Sequence, residues 1–259
     1  MIRLAVPGAG GRMGRHVVAE ALARPDAFAI AAAIEAEDSP AVGAEVAPGI
    51  VATSDRSALA GADVYVDFTT PEATRALAEA AAECGTAAVV GTTGLDDAAR
   101  AALDALARRA PVVVAANFSM GVTLMLALVE QAARALGPEF DLEVVEIHHR
   151  HKRDAPSGTA LAIAEALARG RGVDLRAVGR FAREGDIGPR PAGEIGVSTV
   201  RGGDVPGDHT ALFLGPEERL ELVHRAGSRA IFARGALRAA EWVVGRPAGL
   251  YSMRDVLGL

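Results

Sequence analysis

A strand of buried type that runs straight into a glycine-rich turn and then a helix leaves a chain few folds to choose from. Residues 2–14, Ile-Arg-Leu-Ala-Val-Pro-Gly-Ala-Gly-Gly-Arg-Met-Gly, read in that way, with Met13, Val17, Val18, Ala21 and Leu22 recurring on one helix face. Glycines let the backbone approach a pyrophosphate, and the positive end of the helix favours its charge, so this is a layout for holding a dinucleotide. The spacing departs from G-x-G-x-x-G because Met13 stands where the third glycine belongs; Gly8-x-x-Gly11-x-x-Gly14 describes it better. Any tight strand-to-helix turn favours glycine, so the turn alone is weak evidence. A second strand, Phe28 to Ile34, ends at Glu35, and an acid at that distance is placed to hold the adenosine ribose hydroxyls.

Strands and helices continue to alternate. Ala62 to Phe68 reads as a strand, Pro71 to Cys84 as a helix closed by Gly85, and Thr86 to Val90 as a buried strand. Asp96 to Arg109 reads as a helix capped by Asp96 or Asp97, and Pro111 to Ala116 as a strand; residues 36–54 look irregular. Repeated β-α units imply a parallel sheet with helices on both faces, and ligands then bind beyond the carboxyl ends of the strands. The loops Gly8–Gly14, Gly91–Gly94 and Ala115–Phe118 all fall there.

The pattern changes after Asn117. Thr123 to Leu136 reads as a helix, Asp141 to Ile147 as a strand and 157–169 as a helix. A looser region follows, then strands Ile195–Val200, His209–Leu214 and Leu220–His224, and a last helix Ala230–Val244. The expectation is an α/β fold: a Rossmann-like parallel-sheet nucleotide domain at 1–117 plus 229–259, and an α+β substrate and oligomerisation domain at 118–228.

Half of the 259 residues are apolar, enough for two modest domains with buried cores, and aromatics make up only 4%. The single Cys84 rules out an internal disulfide and suits a reducing compartment. Neither a charged-then-apolar leader nor a run of 18 apolar residues occurs, so the expectation is a soluble, cytoplasmic protein with no membrane partner. A net charge of −6 argues against a nucleic-acid partner.

Residues Glu146 to Ala160, Glu-Ile-His-His-Arg-His-Lys-Arg-Asp-Ala-Pro-Ser-Gly-Thr-Ala, hold three of the six histidines and a lysine, followed by a helix start. A helix start binds anions through its N–H groups. His148, His149 and Lys152 can donate protons or pair with carboxylates. Proton donors beside an anion cradle suit an acidic small molecule. A solvated basic loop is the commoner origin of such a run, and His151 is expected to be structural. His149, His151 and Asp154 are short of the ligands a zinc site needs, so no metal is expected. Adjacent strand residues face opposite ways, so His148 and His149 can share a site only if the strand ends at Ile147, which is the expectation here.

Several segments together resemble the 4-hydroxy-tetrahydrodipicolinate reductase (dihydrodipicolinate reductase) family: Gly8-Ala9-Gly10-Gly11-Arg12-Met13-Gly14, Asp67-Phe68-Thr69, Gly91-Thr92-Thr93-Gly94, Ala116-Asn117-Phe118-Ser119 and His148–Thr159. The last of these is the most specific. The resemblance implies NAD(P)H-dependent reduction, with loss of water, of a cyclic imine carrying two carboxylates, on the diaminopimelate route to lysine. It implies proton transfer by His148 and Lys152, with the cations around Lys152 making it a readier acid. It further implies substrate binding by His149, Ser157, Gly158 and Thr159. Cofactor binding falls to Gly8, Ala9, Gly10, Gly11, Arg12, Met13, Glu35, Gly91, Thr92, Thr93, Ala115, Ala116, Asn117 and Phe118. A homotetramer built through the second domain's sheet is implied too. Glu35 followed by Ala36, where NADPH users often carry Arg, points to NADH used at least as well as NADPH. The alternatives are another two-domain dehydrogenase of an aldehyde or amino acid, a non-catalytic nucleotide sensor, and a metal hydrolase.

Overall fold

A computed structural model describes residues 1–259, which form two compact units: 1–120 with 229–259, and 121–228. In the first unit the chain runs β1 (Ile2–Pro7), α1 (Arg12–Leu22), β2 (Phe28–Ile34), a small hairpin β3 (Glu45–Ala47) and β4 (Ile50–Val51), then β5 (Val64–Asp67). It continues through α2 (Pro71–Cys84), β6 (Ala87–Val90), α3 (Asp97–Ala107), β7 (Pro111–Val114) and the start of α4 (Met120–Leu136). The second unit holds β8 (Asp141–His148), α5 (Gly158–Arg171), α6 (Leu175–Val178), β9 (Gly179–Arg180), β10 (Ile195–Arg201), β11 (Asp208–Gly215) and β12 (Glu218–Arg225). The chain then returns to the first unit as α7 (Ala230–Val243), β13 (Gly249–Tyr251) and α8 (Met253–Leu257).

The first sheet is wholly parallel, in the order β13-β7-β6-β5-β1-β2. Strands β5 and β6 are buried along their whole length, as their near-continuous apolar runs require when helices cover both faces. Side-chain alternation splits the core: Leu4 and Val6 join Val17, Val18 and Leu237 on one face, and Ala5 joins Tyr65, Leu77 and Leu103 on the other. Helix ends follow their residues. Thr70 and Asp96 accept from Ala73 and Ala99 N–H, and Gly85 ends α2 in the left-handed region.

The second sheet is mixed, in the order β12-β11-β8-β10-β9, with β8 parallel to β10 and antiparallel to β11. On the buried face of β8, Leu142 and Val144 pack with Ile163 and Leu167 of α5 and Val129 of α4. Three expectations need correction. The irregular stretch 36–54 contains the β3–β4 hairpin, α4 starts at Met120, and β8 runs through His148 instead of ending at Ile147. No helix is long and apolar enough to cross a membrane.

Candidate active site

In the first unit the loops after β1, β6 and β7 lie at the same edge of the sheet, because these strands are parallel. Gly8 has φ +64°, and its N–H donates to Ile34 O at 2.7 Å, tying the ends of β1 and β2 together. Gly14 is the tightest point of this turn: a Cβ there would lie 2.0 Å from Gly8 O. Helix α1 begins after Gly11 without a side-chain cap, which leaves its first turn suited to an anion. Ala9 is buried, Met13 packs against the core, and Arg12 is exposed on the first turn. Glu35 accepts from Gly10 N–H at 2.6 Å and from the Ser39 hydroxyl at 2.9 Å. It borders a cavity of about 920 Å³ lined also by Gly10, Gly11, Pro40 and Ala41.

The other two loops are seated by packing. The Phe68 ring fills the place of a Cβ on Gly91, 2.1 Å from where that atom would lie, and meets Phe118 edge-on at 5.7 Å. Gly235 of α7 backs onto Phe118 O so closely that a Cβ would come within 1.7 Å. Buried Asp67 accepts from Thr69 N–H at 2.8 Å and from the Thr69 and Thr74 hydroxyls at 2.6 Å. Thr74 in turn lies 2.9 Å from the Thr92 hydroxyl. Burial raises the Asp67 carboxyl pKa against these donors. Thr92 is thus turned inward, while Thr93 and Ala116 are exposed. Ala115 N–H bonds Val90 O, and Asn117 Oδ1 accepts from Ser119 N–H at 2.8 Å. Irreplaceable glycines, an uncapped helix start and a carboxylate beside the cavity together fit a dinucleotide.

In the second unit, cross-strand register gathers residues far apart in sequence. Glu146 lies opposite Thr199 on one neighbouring strand and His209 on the other, and His148 lies opposite Arg201. Fully buried Glu146 accepts from Arg201 at 2.8 and 2.9 Å, from Thr199 at 3.2 Å, and from Ser157 N–H at 3.0 Å. The His148 Nδ1 lies 2.5 Å from the same carboxylate. Burial works against the charge, but Arg201, His148 and the Ser157 N–H outweigh it and hold the carboxyl at about 2. The His148 ring stands edge-on to His209, centroids 5.1 Å apart. Burial, then repulsion from His148, pushes His209 from 6.5 down to about 4. His209 Nε2 bonds the Ser157 hydroxyl at 3.0 Å, and its buried Nδ1 has no partner.

Ser157 also caps α5, accepting from Ala160 N–H at 3.1 Å, so both its polar groups are engaged within the protein. Gly158 is exposed and Thr159 half-buried at the first turn. His149 leaves the strand and donates its N–H to Val205 O; it lines an open cavity with Arg150, His151, Gly203 and Asp204. Lys152 is paired with Asp154 at 2.9 Å, an anionic partner that the expectation of a purely cationic setting left out. The His149 and His151 rings lie 6.3 Å apart, and no group of His, Cys, Asp or Glu is arranged to hold a metal ion, which gives the hydrolase alternative no support. Glu146, Thr199, Arg201 and His209 were not singled out from the sequence. His209 served only to mark a strand start, and no local signal announces its partners.

Glu146 and His209 set an acid limit on stability. His209 binds a proton more readily unfolded than folded, so stability should fall as pH drops from 6.5 towards 4; Glu146 adds a second loss between 4.5 and about 2. Thermal melts against pH check this, and His209→Gln should flatten the upper part of the curve.

A parallel-sheet nucleotide unit with a glycine turn and an acid beside its cavity, joined to a mixed-sheet unit, defines the two-domain NAD(P)-dependent oxidoreductases. Residues 2–118 match the family described as dihydrodipicolinate reductase, N-terminus, and residues 121–257 match its C-terminus counterpart. The chain belongs to the dihydrodipicolinate reductase family. It is 52% identical over 265 residues to the 4-hydroxy-tetrahydrodipicolinate reductase of Thiobacillus denitrificans, covering 100% of this chain and 99% of the relative. It is 49% identical to the enzyme of that name from Alkalilimnicola ehrlichii, covering 99% of each. The dipicolinate-bound dihydrodipicolinate reductase of Paenisporosarcina sp. TG-14 shares the fold, with a TM-score of 0.80, 24% identity and 98% of each chain covered.

Proposed function

We propose that this chain reduces 4-hydroxy-tetrahydrodipicolinate to tetrahydrodipicolinate, with loss of water, in the diaminopimelate route to lysine. The observation that carries this reading is the Glu146–His148 pair beside the start of α5 and Lys152, in a member of this family. Bound NAD(P)H supplies the hydride. The imine's two carboxylates need cations and N–H donors, and the imine needs a proton as its carbon is reduced. Backbone N–H groups of Gly158 and Thr159, with the Thr159 hydroxyl, take one carboxylate; His149 helps with the substrate's charge. Ser157 contributes by holding the turn, since its own polar groups are engaged. His148 and Lys152 exchange the protons.

The first unit binds the dinucleotide. Gly8, Ala9, Gly10, Gly11, Arg12 and Met13 form the pyrophosphate turn. Gly91, Thr92, Thr93, Ala115, Ala116, Asn117 and Phe118 form the two loops that hold the nicotinamide half. Glu35 takes the ribose hydroxyls, keeping acceptor capacity beyond Gly10 and Ser39. Its charge repels a 2′-phosphate, Ala36 offers none in compensation, and Arg12 is near enough in sequence to soften the preference. NADH is therefore used at least as well as NADPH. The second unit binds the substrate and builds a homotetramer, and the enzyme works in the cytoplasm.

A turnover assay with freshly generated substrate tests the reading. NADH oxidation dependent on that substrate is expected, with kcat/KM for NADH at least equal to that for NADPH; a value for NADPH more than about tenfold above that for NADH, about 1.4 kcal/mol, overturns the preference. Absence of turnover with either nucleotide would leave the non-catalytic sensor standing.

A further inference from the structure

Glu146 carries no assigned role in the chemistry above, yet its buried carboxylate makes five hydrogen bonds within the second unit. We propose that Glu146 is the positioning residue for His148: it holds the ring by Nδ1, presents Nε2 for proton exchange, and ties that ring to the start of α5. The inference rests on the reading of His148 as the proton-exchanging residue.

The geometry carries each part. A buried carboxylate that accepts from both Arg201 nitrogens, Thr199 and the Ser157 N–H is an ionised acceptor with nothing to donate. At 2.5 Å from it, His148 Nδ1 must be the donor, which places the proton on Nδ1 and leaves Nε2 as the exchanging atom. That other edge faces Gly207, where a Cβ would lie 2.8 Å from Nε2; glycine leaves it uncovered. The same carboxylate receives the N–H of Ser157, the residue that caps α5. One anion thus sets both the ring that moves the proton and the helix start that takes a substrate carboxylate. Arg201, anchored in turn on Asp154 O at 2.7 Å, and Thr199 hold the anion in place from β10. This is the logic of a base oriented by a third group, carried out across two strands.

A double-mutant cycle tests it, with substrate kinetics, NADH binding and ¹⁵N NMR of the histidines on each protein. Glu146→Gln keeps an amide oxygen that can accept from the Ser157 N–H and so hold the helix start, but it loses the ionised acceptor for Nδ1; it should lower kcat by at least about tenfold, with the substrate KM and NADH affinity changed less than about threefold. The His148 ¹⁵N shifts should move from an Nδ1–H pattern to a tautomer mixture, a signature that a merely structural role would not produce. In a His148→Gln background the same change should cost less than about twofold, because its effect passes through that ring. Glu146→Asp keeps a charge for Arg201 but draws it back from Nδ1; it should show the same kcat loss, and it serves if the glutamine variant does not fold. An equal loss with or without His148, or an unaltered tautomer, overturns the role of Glu146. A silent His148→Gln overturns the role of His148 itself and this inference with it.

Discussion

Replacing His148 by Gln is expected to slow turnover by about 10²–10⁴, the usual cost of losing one general acid. Lys152→Ala should fall in the same range. Neither change should shift NADH affinity by more than about twofold, since both residues belong to the unit that lacks the glycine turn. Their backgrounds differ. His148 is 7% exposed and held by Glu146, so its loss also leaves a buried carboxylate short of one donor. Lys152 is paired only with exposed Asp154, so Lys152→Ala should leave thermal stability nearly unchanged. Steady-state kinetics with a parallel NADH titration decide the matter. Near-normal turnover in either variant removes that residue from the chemistry, and lost NADH binding moves it to the other unit.

Gly14→Ala is expected to be the most damaging single methyl group in the glycine-rich turn. The added Cβ would meet Gly8 O at 2.0 Å and Ala9 Cα at 2.7 Å, which are backbone atoms that no rotamer change can move aside. Either α1 separates from β1 or the glycine turn deforms. A loss of about 3 kcal/mol or more in stability is expected, from overpacking against rigid atoms. NADH affinity should fall at least about tenfold with it, one tenfold step being about 1.4 kcal/mol. Gly61→Ala is the control: nothing lies within 4 Å of its added Cβ, so its effect should stay within about 0.5 kcal/mol. Thermal melts and calorimetric NADH titration of both variants check this, and equal losses at the two positions would remove the close approach as the cause.

The alternation of apolar runs, caps and glycine turns was enough to reach the parallel sheet, because each β-α unit is specified by neighbours within about 15 residues. Strand β2 and helix α2 with its closing Gly85 follow from local spacing in this sense. The His148–Thr159 segment was legible for the same reason, being contiguous in the chain. The hairpin at 45–51 escaped notice because its strands are only three and two residues long. The C-terminal strand β13 earns its place only by pairing with β7, more than a hundred residues away.

What the sequence alone determined is the family, the parallel sheet and the run of histidines with a lysine, each written in local spacing or in one contiguous motif. The tertiary structure alone decided what holds those side chains. Glu146 reads in sequence as an acid before a basic loop. Only the pairing of β8 with β10 and β11 surrounds it with Thr199, Arg201 and His209, from 53 to 63 positions further on. Cross-strand register is set by burial of the helix-covered face and by strand order, which no window of neighbouring residues contains. Side-chain parity led to the expectation that β8 ends at Ile147, and the strand instead runs one residue further. The strand carries His148 inward to Glu146 and releases His149 one residue later, bonded to Val205 O by its N–H.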